Sequence, residues 1–218
     1  MHTNTTPRPS TTPSLFPLAE HGIDSLETLR DATMRCRACP IGEFATQSVI
    51  GEGPLGAKLM LVGEQPGDQE DRQGQPFIGP AGQLLDHALA EAGLPREQLF
   101  VANAVKHFKF EMRGKRRIHK SPGQREAAAC LHWLEDEIAL VQPEALVALG
   151  ARAASSLLGR AVAVMKERGQ WLARSDGRQV LVTLHPSALL RVLPDEREAA
   201  IGLFVQDLRK ARRVLQHQ

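Results

Sequence analysis

Two carboxylates, an amide and two histidines are the side chains through which this chain could do chemistry, if its fold gathers them. Glu64 and Asp68 stand in a stretch over residues 63–82, GEQPGDQEDRQGQPFIGPAG, that is rich in Gly and Pro. They are candidates for acid–base work, and glycines such as Gly67 let backbone N–H groups approach a ligand closely. Phe77 sits between Pro76 and Ile78 as an apolar plate, His119 lies in a run of cations, and His185 opens a His185-Pro186-Ser187 triplet. Asn103 offers both a donor and an acceptor. Each has a plain structural reading too. The stretch 63–82 reads as a solvated acidic loop, Phe77 as core and Asn103 as a strand-end cap. His119 reads as a solvated residue and His185 as a satisfied histidine at the core edge. Only convergence would make them a site.

Cys36 and Cys39 form a C-x2-C pair, whose short turn brings two sulfurs to one side. Such a pair is a zinc half-site or a redox motif. A closed metal site needs more ligands. Cys130 is far away in sequence, and His107 stands at the end of an expected strand. His132 is only two residues from Cys130 on an expected helix, so the two point to different faces. Cys130 could equally be a small buried core residue.

The elements that must position these residues can be read from apolar patterning. Four short Val/Leu-rich runs, at residues 58–63, 99–105, 145–150 and 179–185, do not alternate, as expected of strands covered on both faces. Helical patterns lie between and after them at 80–93, 121–141, 151–158 and 195–215, and another begins near Ile23 with Asp24 or Ser25 as cap. Ser121-Pro122 reads as the cap and first turn of the second of these helices. Alternating strand and helix predicts a three-layer α/β/α domain with a central, mainly parallel four-stranded sheet. Ligands of such sheets sit at the C-terminal strand ends. Gly63-Glu64-Gln65, Asn103 and His185-Pro186-Ser187 all fall there, and the second strand runs into a basic loop.

A chain of 218 residues suffices for one such domain, expected over residues 18–218, and the Thr-, Ser- and Pro-rich residues 1–17 read as a disordered tail. The net charge of +2 conceals an asymmetry: Lys106, Lys109, Arg113, Lys115, Arg116, Arg117 and Lys120 face one acid, Glu111, a local +6 that leaves −4 elsewhere. That is the footprint of a phosphate-binding face. Three cysteines are too few for a disulfide framework. No apolar run is long enough to span a membrane, and no secretory leader is visible, so a cytoplasmic protein without a membrane partner is expected.

Several motifs in order carry a resemblance. Gly63-Glu64-Gln65-Pro66-Gly67-Asp68, Gln75-Pro76-Phe77-Ile78-Gly79-Pro80-Ala81-Gly82, Asn103-Ala104-Val105-Lys106 and His185-Pro186-Ser187 resemble those of the uracil-DNA glycosylase superfamily, in its iron–sulfur branch. Lys115-Arg116-Arg117-Ile118-His119 resembles the loop of the UdgX type, whose members link themselves covalently to uracil-containing DNA. The similarity runs from about Cys36 to Leu208. It implies a [4Fe–4S] cluster held by Cys36, Cys39, His107 and Cys130. His107 stands where simpler relatives carry another cysteine.

The resemblance also implies roles. Phe77 would stack on the flipped base, and Asn103 would read its edge. The backbone at Gln65 and Gly67 would donate to a uracil oxygen, with Asp68 and Ser187 beside it. His185 would hydrogen-bond O2 as charge develops there, and Glu64 would act on the sugar cation. His119 would attack C1′. Lys115, Arg116, Arg117 and Lys120 would hold phosphates. The expected partner is uracil-containing DNA, single-stranded as well as duplex, bound by a monomer that joins the nucleoid through its DNA. The competing readings are a conventional turnover glycosylase and a non-catalytic nucleic-acid-binding iron–sulfur protein.

Overall fold

The four apolar runs become strands because each presents side chains to two covered faces at once. A computed structural model describes residues 22–216; the tail expected at residues 1–17 lies outside them. The strands are β1 (Leu59–Gly63), β2 (Leu99–Asn103), β5 (Ala145–Leu149) and β7 (Gln179–Thr183), mutually parallel in the order β2-β1-β5-β7. Alternate residues point to opposite sides. Leu59, Leu61, Leu99, Val101, Val147 and Leu181 face a cluster with Leu85, Leu89, Phe204 and Leu208. Met60, Val62, Phe100, Ala102, Leu146 and Val180 face a second with Leu134, Ile138, Ala154 and Leu157. Truncating any one of the leucines among these to Ala would cost about 2–5 kcal/mol.

The helices supply those outer layers. α4 (Pro80–Ala92) and α9 (Pro194–Arg209) cover the first face, and α5 (Gln124–Val141) and α6 (Ala151–Leu158) the second. The expected three-layer α/β/α domain is therefore what forms. α1 (Leu26–Met34) is capped by Ser25, whose side chain accepts the Thr28 N–H, and it packs on α5 with the short α2 (Ile41–Phe44) following.

Several details depart from the sequence reading. The central sheet has five strands rather than four, because β6 (Trp171–Ala173) adds an antiparallel edge to β7. Three residues are too short a run to show periodicity. α5 starts at Gln124, not Ser121, since the Glu126 carboxylate accepts the Gly123 N–H at 2.6 Å and makes Gly123 the cap. The last helix is broken: α9 ends at Arg209 and α10 (Arg212–Gln216) resumes beyond the fully buried Ala211. The stretch 63–82 is not all loop, for it contains α3 (Asp68–Gln73). Short α7 (Val164–Glu167) and α8 (Pro186–Leu189) flank β6 and β7.

The basic loop is a β-hairpin, β3 (Phe110–Arg113) against β4 (Arg116–His119), turned at Gly114 with φ +58°. It forms its own two-stranded sheet. Lys106 leaves the basic patch altogether: it is fully buried and ion-paired to Glu137. No helix among the described residues is long and apolar enough to cross a membrane.

Candidate active site

Parallel register brings the first two site segments side by side. Gly63 at the end of β1 pairs with Asn103 at the end of β2, and His185 follows β7 by two residues. Past these ends opens a cavity of about 610 Å³, lined by Gln65, Gly67, Asp68, Phe77, Asn103, His119, His185 and Ser187 among others. Eight residues singled out from the sequence thus meet in one place. Glu64 stands beside them: its Oε1 is buried without a partner, and its charge acts on His119.

The wall carrying Phe77 and Asn103 is tightly fitted. Phe77 adopts φ +57°, a conformation that bulky residues rarely take and that marks functional loops. Gly82 makes it possible, since a Cβ there would lie 1.7 Å from the Phe77 carbonyl oxygen. A Cβ on Gly63 would lie 2.4 Å from Asn103 Oδ1 and 2.5 Å from Phe77 Cζ. Asn103 is 2% exposed, and its Oδ1 has no partner. A buried amide oxygen left unpaired costs on the order of 1–3 kcal/mol, so the site is built to pair it with something.

His185 is a neutral donor. Its Nδ1 accepts the backbone N–H of Ser187 at 3.1 Å and lies 2.8 Å from Ser187 Oγ. Burial, helped by the charges of His119 and Arg191, pulls its pKa down to about 4. With Nδ1 accepting, the proton sits on Nε2. His119, at the end of β4, is exposed at the cavity mouth, yet its ring is partly desolvated. That desolvation and Arg191 lower its pKa below 6.5 against the opposing pull of Glu64. A neutral imidazole with a free lone pair is a nucleophile.

Side chains hold the hairpin to the body. Gln65 Nε2 donates to the carbonyls of Lys109 and Lys120, and its Oε1 accepts the Lys109 N–H, so one amide staples both ends of the hairpin base. Arg117 donates to Asp68 and Asp71 of α3 and to Thr46 Oγ1, and lies over the rings of Phe108 and Phe110. Burial raises the Asp68 pKa, but bonds from Arg72 and Arg117 outweigh it and hold the carboxyl below its usual range. Arg117 is thus turned inward. Lys115 and Arg116 stand exposed at the tip, and Lys120 is paired with Glu111 on the surface at 3.0 Å.

Two residues, Glu70 and Arg191, escaped the sequence reading, and a third, Ile118, entered it only as part of a motif. Glu70 clamps the loop by accepting the N–H groups of Gly67 at 3.1 Å and Gly79 at 2.9 Å. The Gly67 amide is therefore engaged within the loop. Arg191 and Ile118 line the mouth. The spacing of Glu70 between two glycines was the available signal for the clamp; Ile118 was marked only by its place in the Lys115–His119 motif.

The cysteines converge elsewhere, on the α5 face. Cys36, Cys39 and Cys130 share an apolar cluster with Ile41 and Trp133. Trp133 Nε1 donates to Cys36 Sγ at 3.4 Å and the Lys106 N–H to Cys130 Sγ at 3.3 Å. A Cβ on Gly42 would touch both the Cys36 carbonyl and the His107 ring, so His107 lies against the same segment. Burial pushes the Cys130 thiol up to about 11, and burial with Arg37 pulls His107 down to about 4. Among the described residues no three His, Cys, Asp or Glu side chains are grouped closely enough to hold a metal ion.

The strand ends of this α/β domain thus surround a cavity with a neutral imidazole, an unpaired amide oxygen and a carboxylate, the makings of a strand-end active site. The family model of the uracil DNA glycosylase superfamily matches residues 50–209, and the chain belongs to that superfamily. It is 36% identical over 188 residues to a type-4 uracil-DNA glycosylase of Thermotoga maritima, covering 86% of this chain and 93% of that protein. A type-4 uracil-DNA glycosylase of Pyrobaculum aerophilum is 35% identical over 190 residues, with 84% and 91% covered. A type-5 uracil-DNA glycosylase of the same organism is 31% identical over 183 residues, with 73% and 76% covered.

Proposed function

We propose that this protein excises uracil from DNA and is then captured on the product through His119. The named relatives support uracil as the base. One observation carries the capture. A partly desolvated imidazole, with its pKa below 6.5, stands at the mouth of the cavity on a hairpin fastened by Gln65 and Arg117.

A base inside a duplex is out of reach, so the nucleotide is flipped or taken from a single strand. Phe77 stacks on the base, and Asn103 pairs with its edge, satisfying the lone Oδ1. As the C1′–N1 bond breaks, its electrons pass into the uracil ring. His185 Nε2–H donates to O2 where that charge collects. The sugar becomes an oxocarbenium ion beside the Glu64 carboxylate. The neutral His119 ring nitrogen forms the new C1′–N bond, its other N–H proton leaves to Glu64 or solvent, and the uracil anion takes up a proton. An imidazole joined to C1′ has no acid poised to expel it, so the protein turns over once. Lys115, Arg116 and Lys120 hold flanking phosphates.

Cys36, Cys39, Cys130 and His107 suit a [4Fe–4S] cluster: three soft sulfur donors and an imidazole from three separate segments, with N–H groups already aimed at two of the sulfurs. Bound there, a cluster would brace the N-terminal arm against α5 and the turn after β2. The test is incubation with uracil-containing DNA, followed by a denaturing gel and peptide mapping. A boiling-resistant band with the deoxyribose on His119 is expected. Free abasic DNA without the band would leave a turnover glycosylase. Neither product would leave a non-catalytic binding protein.

A further inference from the structure

Lys106 is fully buried, where an ammonium is rarely found. Its Nζ donates to Glu137 Oε2 at 2.6 Å and to the main-chain oxygen of Asn103 at 2.7 Å. Glu137 is equally buried, and its other oxygen accepts the Gly51 N–H at 2.6 Å. Every charge in this chain of contacts has a partner, but desolvating both ions is costly. An apolar pair of the same volume would serve stability as well or better. Stability is therefore a weak account of the pair.

Its geometry is a better one. The ammonium grips the carbonyl of the residue whose side chain must meet the base. Fixing that peptide plane fixes the direction of the Asn103 Cα–Cβ bond. Asn103 Oδ1 has no partner of its own, so the aim of the amide must come from the backbone. There is no slack to absorb an error, since a Cβ on neighbouring Gly63 would already sit 2.4 Å from Oδ1. The other end of the brace is α5. Glu137 lies seven residues beyond Cys130, about two turns on, and so on the same face of the helix.

We infer that Lys106 and Glu137 are positioning residues: the buried pair aims Asn103 at the base and thereby sets the affinity and selectivity of the site. The inference rests on the reading of the cavity as a uracil pocket. Its test is the double variant Lys106→Met/Glu137→Leu in the full chain, which removes both charges together. Three quantities are read: the thermal midpoint, inhibition by free uracil, and single-turnover excision from uracil-containing DNA. The variant should stay folded, with its midpoint lowered only by the loss of partners for the Gly51 N–H and the Asn103 carbonyl, and bind uracil-free DNA as well as wild type. Its inhibition constant for free uracil should rise, and its excision rate fall, by about tenfold or more, as expected of a misplaced group.

A folded double variant with wild-type inhibition and rate would overturn the inference. If the double variant does not accumulate, Glu137→Gln carries the test, because it keeps the length and shape of the side chain while removing its charge. It too should weaken free-uracil inhibition while DNA affinity holds, and unchanged inhibition would overturn the inference. A wild-type protein that neither releases nor is inhibited by uracil would defeat the reading of the pocket itself, a result distinct from an active wild type with indifferent variants.

Discussion

The Ser187 backbone N–H points at Nδ1 of His185 from 3.1 Å, and that single contact decides what the histidine can do. A backbone amide only donates, so Nδ1 must accept and Nε2 must carry the proton. The ring is a neutral hydrogen-bond donor for as long as it stays unprotonated, which its pKa of about 4 extends well into acid.

The two imidazoles therefore give the reaction two pH limits. Protonation removes the His119 lone pair, and its pKa lies below 6.5. Crosslinking should be level at neutral pH and above, and fall as pH drops through that lowered pKa. Uracil release, which needs neutral His185, should persist further, toward about pH 4. Time courses scored both for shifted protein and for alkali-labile sites should separate the two, and identical acid limbs would contradict it. Stability follows the same sign. Unfolded His185 takes up its proton near 6.5 and folded His185 near 4, so its contribution is full above pH 6.5 and is lost as pH falls toward 4.

Gly63→Ala should damage the pocket more than the fold. The added methyl meets Asn103 Oδ1 and Phe77 Cζ, both within 2.5 Å. Overpacking of this kind costs about 1–3 kcal/mol, while a displaced base reader costs roughly a hundredfold in rate. Calorimetry beside single-turnover excision checks this, and a wild-type rate would show that the two side chains yield freely.

The cations of the hairpin should divide into two kinds. Lys115→Ala and Arg116→Ala should each weaken DNA binding uniformly and lower the salt slope by roughly 1. Arg117→Ala should instead lower stability, because it takes the countercharge from the fully buried Asp71 and leaves it only the Thr46 N–H, and a buried charge short of its partner costs about 1–3 kcal/mol or more. Binding isotherms at several salt concentrations and a melting curve distinguish them. A lowered slope with an unchanged midpoint for Arg117→Ala would assign it to phosphate.

Protein purified without chelators should be brown, with visible charge-transfer absorption that Cys130→Ser abolishes. Stoichiometric zinc in colourless protein would replace the cluster with a single-ion site.

The central sheet was legible because β1, β2, β5 and β7 are continuous apolar runs, and burial on both faces leaves no other pattern. Their C-terminal ends then carried Glu64, Asn103 and His185 into one place. The hairpin was not legible as strands. Phe110–Arg113 and Arg116–His119 are half charged, and their pairing shows only in register. Nor could composition show that Lys106 and Arg117 turn inward. A cation in a basic run reads as solvated until the carboxylates that receive it, Glu137 and Asp71, are seen to be buried as well.

The hairpin's separateness makes it a cassette. It shares no ladder with the central sheet, and Gln65 grips Lys109 and Lys120, the residues that flank it, while the Lys120 N–H closes onto the Lys109 carbonyl at 3.0 Å. The loop is tied off at its neck. Its tip can be lengthened, shortened or exchanged without shifting any register in the body, provided Arg117 still meets Asp68 and Asp71, so under the proposed mechanism the step that follows base removal rides on a segment separable from the sheet that carries base removal.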